Sequence, residues 1–231
     1  MKHLFGTLAT AALCLASLAQ AAMEVDRNII TFEAGSTPRE DVTVFNRGES
    51  RLFAEVEVLE VRNPGTEDEE RVVVRDPRAI GLVASPRRLM VPAGSRRMVR
   101  LVNLEGHGDE ERVYRVNLRP VEGDVESDAM GVRILVGYQL LVFVPPVEPR
   151  VELEARREGE TLHLHNRGNV NIRLFRGRQC APGEDEAEPD CVNAESVRLY
   201  PGNERAIELP RDAAVEYRIQ ADGRTRTRTF E

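Results

Sequence analysis

Residues 130–149 read Met-Gly-Val-Arg-Ile-Leu-Val-Gly-Tyr-Gln-Leu-Leu-Val-Phe-Val-Pro-Pro-Val-Glu-Pro. A long apolar run rich in β-branched residues ends in three prolines within the five residues 145–149. Proline removes ladder donors and stiffens the backbone, so the stretch predicts a strand that closes one β domain and a semi-rigid connector to the next. The same rhythm extends in both directions. Upstream lie Asp41-Val-Thr-Val-Phe45, Leu52-Phe-Ala-Glu-Val-Glu-Val-Leu59, Arg71-Val-Val-Val74, Arg97-Met-Val-Arg-Leu-Val102 and Arg112-Val-Tyr-Arg-Val-Asn-Leu118. Downstream lie Val151-Glu-Leu-Glu-Ala155, Thr161-Leu-His-Leu-His165, Asn171-Ile-Arg-Leu-Phe175, Arg205-Ala-Ile-Glu-Leu209 and Ala214-Val-Glu-Tyr-Arg-Ile219. Period-two alternation predicts strands with one buried and one wet face, and no persuasive helical stripe interrupts it.

Asn-Arg-Gly follows a strand at 46–48 and again at 166–168, which suggests two domains built on a similar plan. The expectation is an all-β chain of two immunoglobulin-like sandwiches, residues 22–145 and 150–231, joined by a proline linker at 146–149. Residues 1–21 combine a basic start, an apolar run and Ala19-Gln20-Ala21, the parts of a cleavable secretory signal peptide. Cys14 raises a lipoprotein alternative, against which stands Leu13, where a small residue is expected. No later run reaches the roughly 20 apolar residues of a membrane span, so an exported, non-embedded protein is expected.

Composition narrows the function classes. The 231 residues are 41% hydrophobic, 31% charged and 5% aromatic, which excludes a disordered tail or a collagen-like repeat. The formal charge of -7 and the lack of a long basic block argue against nucleic-acid binding. Lys2 is the only lysine, so every cationic role after signal cleavage falls to arginine. Cys180 and Cys191 flank a polar Pro/Gly loop, and in an oxidising compartment they predict a local disulfide. A metal pair there lacks a third ligand. His163 and His165 share a strand face without the further ligands of a metal site, and Gly106-His-Gly108 lacks the helix of a phosphate loop. The acidic run 184–190 lacks calcium-loop spacing, and no serine sits in a nucleophile elbow. No metal, no cofactor and no catalytic constellation are expected.

The segment Ser85-Pro-Arg-Arg-Leu-Met-Val-Pro-Ala-Gly-Ser-Arg-Arg-Met-Val-Arg-Leu101 resembles a signature of the periplasmic pilus-assembly chaperones of the chaperone–usher pathway. Glu111-Arg-Val-Tyr-Arg-Val-Asn-Leu-Arg119 is similar to that family's Glu-x-x-Tyr-Arg strand. Asn166-Arg-Gly-Asn169, Ile172-Arg-Leu174, the cysteine pair and Leu199-Tyr-Pro-Gly202 extend the likeness to the alternate chaperones of common-pilus-type fimbriae. The resemblance implies a boomerang of two immunoglobulin-like domains. It implies a non-enzymatic periplasmic function: holding pilus subunits by lending them a strand and delivering them to an outer-membrane usher. An incomplete pilin sandwich exposes an apolar groove and unpaired edges, which an added strand covers by main-chain pairing and alternate side chains. Met130, Val132, Ile134 and Val136 are the expected donor set, alternating over Gly131, Arg133, Leu135 and Gly137.

Departures from the family sharpen the expectations. Its best-known members anchor the pilin's terminal carboxylate with an Arg in the first strand and a Lys near the end of the donor strand. Here Ile29 stands at the first position, and Leu140 or Leu141 at the second. Arg27, expected to share a face with position 29, and Arg115 are the replacement candidates. Glu111 matches an acid that braces the two domains, but its arginine partner aligns near Val144, so that brace is absent or rerouted. Self-capping of the free molecule by dimerisation stays open. The alternative role is an exported two-sandwich pilus subunit or adhesin, which would carry an alternating apolar donor extension before its first strand. A hydrolase or metal enzyme on the same scaffold is disfavoured by the missing constellation.

Overall fold

Period-two burial sets the inward face of the core strands in the computed structural model, which describes residues 23–76, 78–121, 135–181 and 190–231. Among the described residues every regular element is a strand, and no helix is long and apolar enough to cross a membrane. Residues 1–21, expected to be a signal peptide, lie outside the described residues.

The first ten strands are β1 (Met23–Val25), β2 (Ile29–Thr31), β3 (Arg39–Asn46), β4 (Leu52–Arg62), β5 (Glu70–Val72), β6 (Leu82–Ser85), β7 (Arg88–Val91), β8 (Arg96–Asn103), β9 (Arg112–Val121) and β10 (Tyr138–Val144). They form two facing sheets, β1-β3-β8-β6 and β2-β10-β9-β4-β5, with β7 also against β4. Val42 and Val44 on β3, Val116 and Leu118 on β9, and Leu140 and Val142 on β10 meet in one core. Each fully buried side chain of this kind stabilises the fold by about 1.5–3 kcal/mol. Residues 26–28 bend out of strand geometry, so the first segment crosses from one sheet to the other. The first segment is therefore two strands, and Arg27 sits at the crossing rather than on the face of Ile29, where it was expected.

The remaining strands are β11 (Leu153–Glu158), β12 (Thr161–Asn166), β13 (Ile172–Ala181), β14 (Asp190–Ala194), β15 (Val197–Leu199), β16 (Glu204–Glu208), β17 (Val215–Ala221) and β18 (Arg224–Phe230). They make a second pair of sheets, β11-β12-β16 and β14-β13-β17-β18, with β15 against β13. Leu162, Leu164, Ile172, Leu174, Tyr217 and Ile219 fill this second core. Cys180 and Cys191 face each other across β13 and β14 and are joined as a disulfide.

The repeated Asn-Arg-Gly does the same work in each half. Asn46 Nδ2 donates to the carbonyls of Ser50 and Val91 at 2.7 and 2.9 Å, and its Oδ1 accepts from Gly48 N–H at 3.0 Å. Asn166 Nδ2 donates to the carbonyls of Val170 and Leu199 at 2.8 and 3.1 Å, and its Oδ1 accepts from Gly168 N–H at 3.0 Å. The intervening arginine pairs in each case with a glutamate on the first strand of its own half, Arg47 with Glu24 and Arg167 with Glu154.

Candidate functional site

β10 has two unlike ends. Leu141–Phe143 lies between β9 on one side and the parallel β2 on the other. Tyr138, Gln139 and Leu140 pair with β9 alone, so among the described residues their other edge carries no strand. Leu135 and Val136, just before this edge, are 43% and 40% exposed. At Gly137 the strands approach closely, since a Cβ there would lie 3.0 Å from the Leu118 carbonyl oxygen. In the facing sheet, β1 pairs only with β3, and the Tyr138 hydroxyl donates to the Met23 carbonyl at 3.0 Å. Among the described residues, two unpaired strand edges thus lie side by side, bridged by that hydrogen bond.

Side-chain direction along β10 follows from its burial. Leu140, Val142 and Val144 enter the first core with Tyr138 packed beside them, while Leu141 and Phe143 point away from it. Period two puts Val136 on the even-numbered face. Met130, Val132 and Ile134 lie outside the described residues.

The opposite face of this sheet meets the second sandwich. Pairing aligns Ile29, Leu141, Arg115 and Leu59 in one row across β2, β10, β9 and β4. Leu141, rather than the core residue Leu140, therefore neighbours Ile29, and the row's cation stands one strand further in, at Arg115. The Arg115 Nε is buried and has no hydrogen-bond partner. Arg27 is held elsewhere: its Nη2 lies 3.1 Å from Glu40 Oε2 and also donates to the Asp41 carbonyl.

Beyond that row, Val61, Val113, Phe143 and Tyr200 form a small apolar cluster joining the two halves, with the Phe143 and Tyr200 rings 6.4 Å apart. The Arg198 guanidinium lies over the Phe143 ring at 5.0 Å. Glu111 reaches across the seam: its Oε1 accepts from Asn171 N–H at 3.0 Å and its Oε2 from Asn171 Nδ2 at 2.9 Å. Asn171 Oδ1 in turn accepts from Arg198. Of the two outcomes expected for the acid brace, absent or rerouted, the second holds: it ends on an asparagine instead of an arginine. Burial pushes the Glu111 carboxyl up to about 7, and the hydrogen bonds from Asn171 and the charge of Arg198 only partly oppose it. Burial also lowers the pKa of Arg198, an effect that Arg173 and Arg115 reinforce and Tyr200 and Glu111 oppose.

His163 and His165 lie on β12 beside carboxylates, with His163 Nε2 3.4 Å from Glu158 and His165 Nδ1 3.5 Å from Glu204. Among the described residues no group of three His, Cys, Asp or Glu side chains is placed to hold a metal ion. Sequence reasoning singles out Arg115 and Glu111 but misses Arg173, Arg198 and Asn171, because their grouping depends on strand pairings absent from any local pattern.

Comparison with known proteins places this geometry. No protein-family model matches the chain. A CFA/I protein of Escherichia coli, named as one of the fimbrial subunits, is 25% identical over 169 residues, covering 69% of this chain and 69% of its own. The solved structure of the class 5 fimbriae chaperone CfaA superposes with a TM-score of 0.65 at 20% identity, over 90% of this chain and 99% of that one. A chain in the solved complex of the Salmonella enterica pilin SafA with the SafB chaperone superposes with a TM-score of 0.65 at 13% identity, covering 93% and 98%. The chain has the two-domain immunoglobulin-like fold of the chaperone–usher pilus-assembly chaperones. At the level of fold, the resemblance read from its motifs is borne out.

Proposed function

We propose that this chain is a periplasmic, non-enzymatic chaperone that captures fimbrial subunits by strand donation and passes them to an outer-membrane usher. The observation that carries the reading is the open edge of β10. Its even-numbered face leads from the first core at Leu140 and Tyr138 to exposed Val136, beside the equally open β1. An unpaired edge with an apolar face invites β-augmentation, in which main-chain pairing supplies affinity and alternate side chains fill pockets. Met130, Val132, Ile134 and Val136 are the donor set. Arg115 suits a pilin's carboxylate better than Arg27, whose guanidinium is engaged by Glu40. The solved complex of a chaperone with the pilin SafA supports a guest of that kind. The same open edge, when no guest is bound, is capped by a second copy. The function needs no cofactor.

Replacing Ile134 with Asp is expected to abolish co-purification of a fimbrial subunit while leaving the melting temperature of the chaperone unchanged. Capture that survives Ile134→Asp but not Leu135→Asp would shift the donor face by one residue, and survival of both would overturn the strand assignment. One observation favours the role of a pilus building block, namely that the relative from Escherichia coli is named as a fimbrial subunit. That role places the chain in fibres sheared from the cell surface, whereas a chaperone stays in the periplasmic extract.

A further inference from the structure

The two sandwiches leave the same kind of edge open and line it with opposite chemistry. β10 and β18 are the last strands of their halves and take the same place, in the runs β10-β9-β4 and β18-β17-β13. Among the described residues β2 covers β10 only at Leu141–Phe143, and no strand covers the outer edge of β18 at all. The inward side of the open β10 stretch is apolar, with Tyr138 and Leu140 packed in the first core. On β18, pairing puts Arg228 opposite Tyr217, Arg226 opposite Ile219 and Arg224 opposite Ala221. Directly paired residues share a sheet face, and Tyr217 and Ile219 are buried in the second core. The three arginines therefore stand on the inward face of an edge strand, about 7 Å apart. Arg228 reaches towards the facing sheet, where its Nη1 donates to the Leu153 carbonyl at 3.4 Å, and its guanidinium lies over the Phe230 ring at 4.7 Å. All six residues from Arg224 to Thr229 are exposed, so this face overhangs the core with charge where β10 offers apolar side chains. Among the described residues none of the three arginines is in a salt bridge.

A strand added beside β18 has to lay its own inward side chains against these guanidiniums and strip water from them, which is how inward-pointing charges close a sheet edge. A second copy fares worse. Antiparallel pairing centred on Thr227 sets Arg226 of each chain opposite Arg228 of the other, and like charges at opposed positions repel. The outward residues Thr225, Thr227 and Thr229 are good strand formers, so it is the arginines and not a weak backbone that close the edge. We propose that Arg224, Arg226 and Arg228 bar β18 to strand addition and thereby confine it, in a chain with two edges of one design, to β10. The barrier stands without the chaperone reading above; the identity of the strand sent to β10 rests on that reading. An unbarred β18 would give the molecule a second sticky edge, and pairing between unlike edges grows open chains of molecules instead of closed dimers.

The test uses the purified chain from residue 22 onward carrying Thr227→Cys, a thiol at the centre of that symmetric pairing. Cys180 and Cys191 are joined to each other, so this thiol alone reports contact between two β18 edges. Cross-linking into covalent dimers is followed in oxidised glutathione. Adding Arg226→Val and Arg228→Val should speed it at least tenfold, whereas Arg226→Lys with Arg228→Lys should leave it at the starting rate. A charge swap gives a second measurement that keeps the edge polar. Chains that retain the arginines, mixed with chains carrying Arg226→Glu and Arg228→Glu, should yield heterodimers at least tenfold over either homodimer. If the valine variant does not fold, as its circular dichroism would show, the mixture decides by itself. A folded valine variant that cross-links no faster than the arginine chain, or a mixture without excess heterodimer, overturns the barrier. Co-expression with a fimbrial subunit separates the two readings: a wild-type chain that captures none overturns the chaperone reading and leaves the barrier standing.

Discussion

Glu111 is 8% exposed and accepts two hydrogen bonds from Asn171, yet its carboxyl is pushed up to about 7. Desolvation of the charged form outweighs the hydrogen bonds that favour it. The sign of the pH dependence follows. A carboxyl whose folded pKa lies above its unfolded value binds its proton more tightly when folded. Its contribution to stability is fully present below about pH 4.5 and is lost as pH rises through about 7. The shift corresponds to on the order of 3 kcal/mol between those limits. Urea midpoints of the wild type should therefore fall between pH 5 and pH 8 relative to those of Glu111→Gln, which lacks the titrating group. Parallel pH profiles for the two proteins would show that Glu111 does not titrate in this range. The acid itself is legible from its place before Tyr-Arg. Its partner is not, because an asparagine that uses both its backbone N–H and its side-chain amide leaves no charge complement to align.

At the scale of elements, alternation reveals the strands that bury a face and misses those that do not. β18 reads Arg-Thr-Arg-Thr-Arg-Thr-Phe and buries only Phe230, so it has no apolar rhythm although it pairs with β17 throughout. Arg27 reads as sharing a face with Ile29 because the crossing between β1 and β2 leaves no mark in a period-two pattern. The Asn-Arg-Gly corners are legible as a repeat, and their physical role makes a prediction. Each asparagine is buried and satisfies two carbonyls and one N–H, so Asn166→Ala strands three buried backbone groups, and Asn46→Ala strands the buried Val91 carbonyl and the part-buried groups of Ser50 and Gly48. Either change should cost about 2–4 kcal/mol, read from chemical denaturation of the full chain. A cost below about 1 kcal/mol would mean that water replaces the amide. The disulfide closes a loop between residues 11 apart in sequence, and Cys180→Ser with Cys191→Ser should cost about 2–3 kcal/mol in the same measurement.

For the molecule as a whole, the seam is the part that neither sandwich specifies alone. Its apolar content is small, essentially Phe143 and Tyr200 with Val61 and Val113, so the polar contacts around it matter in proportion. Asn169 carries several of them: its Nδ2 donates to the carbonyls of Asp109 and Glu148 at 2.8 and 3.0 Å, and its own carbonyl accepts from Glu111 N–H at 3.0 Å. Gly65 closes the other flank in a left-handed conformation, φ 74°, where a Cβ would meet Asn203 Oδ1 at 2.7 Å and the Tyr200 ring at 2.8 Å. Only glycine fits both the backbone and the gap. Gly65→Ala therefore has to lift the 63–69 turn away from Tyr200, at a cost of about 1–3 kcal/mol. That cost falls on the seam, because the side chains a Cβ would meet are Asn203 and Tyr200, the latter part of the small cluster joining the two halves. Gly65→Ala should accordingly leave the far-ultraviolet circular dichroism intact, broaden the distribution of interdomain distances seen by small-angle scattering, and speed amide exchange at Asn171 and Tyr200. Exchange at Val116 and Ile219, inside the two cores, should not change. Uniformly faster exchange at all four positions would instead make the two sandwiches a single cooperative unit, with the seam as stable as the cores it joins.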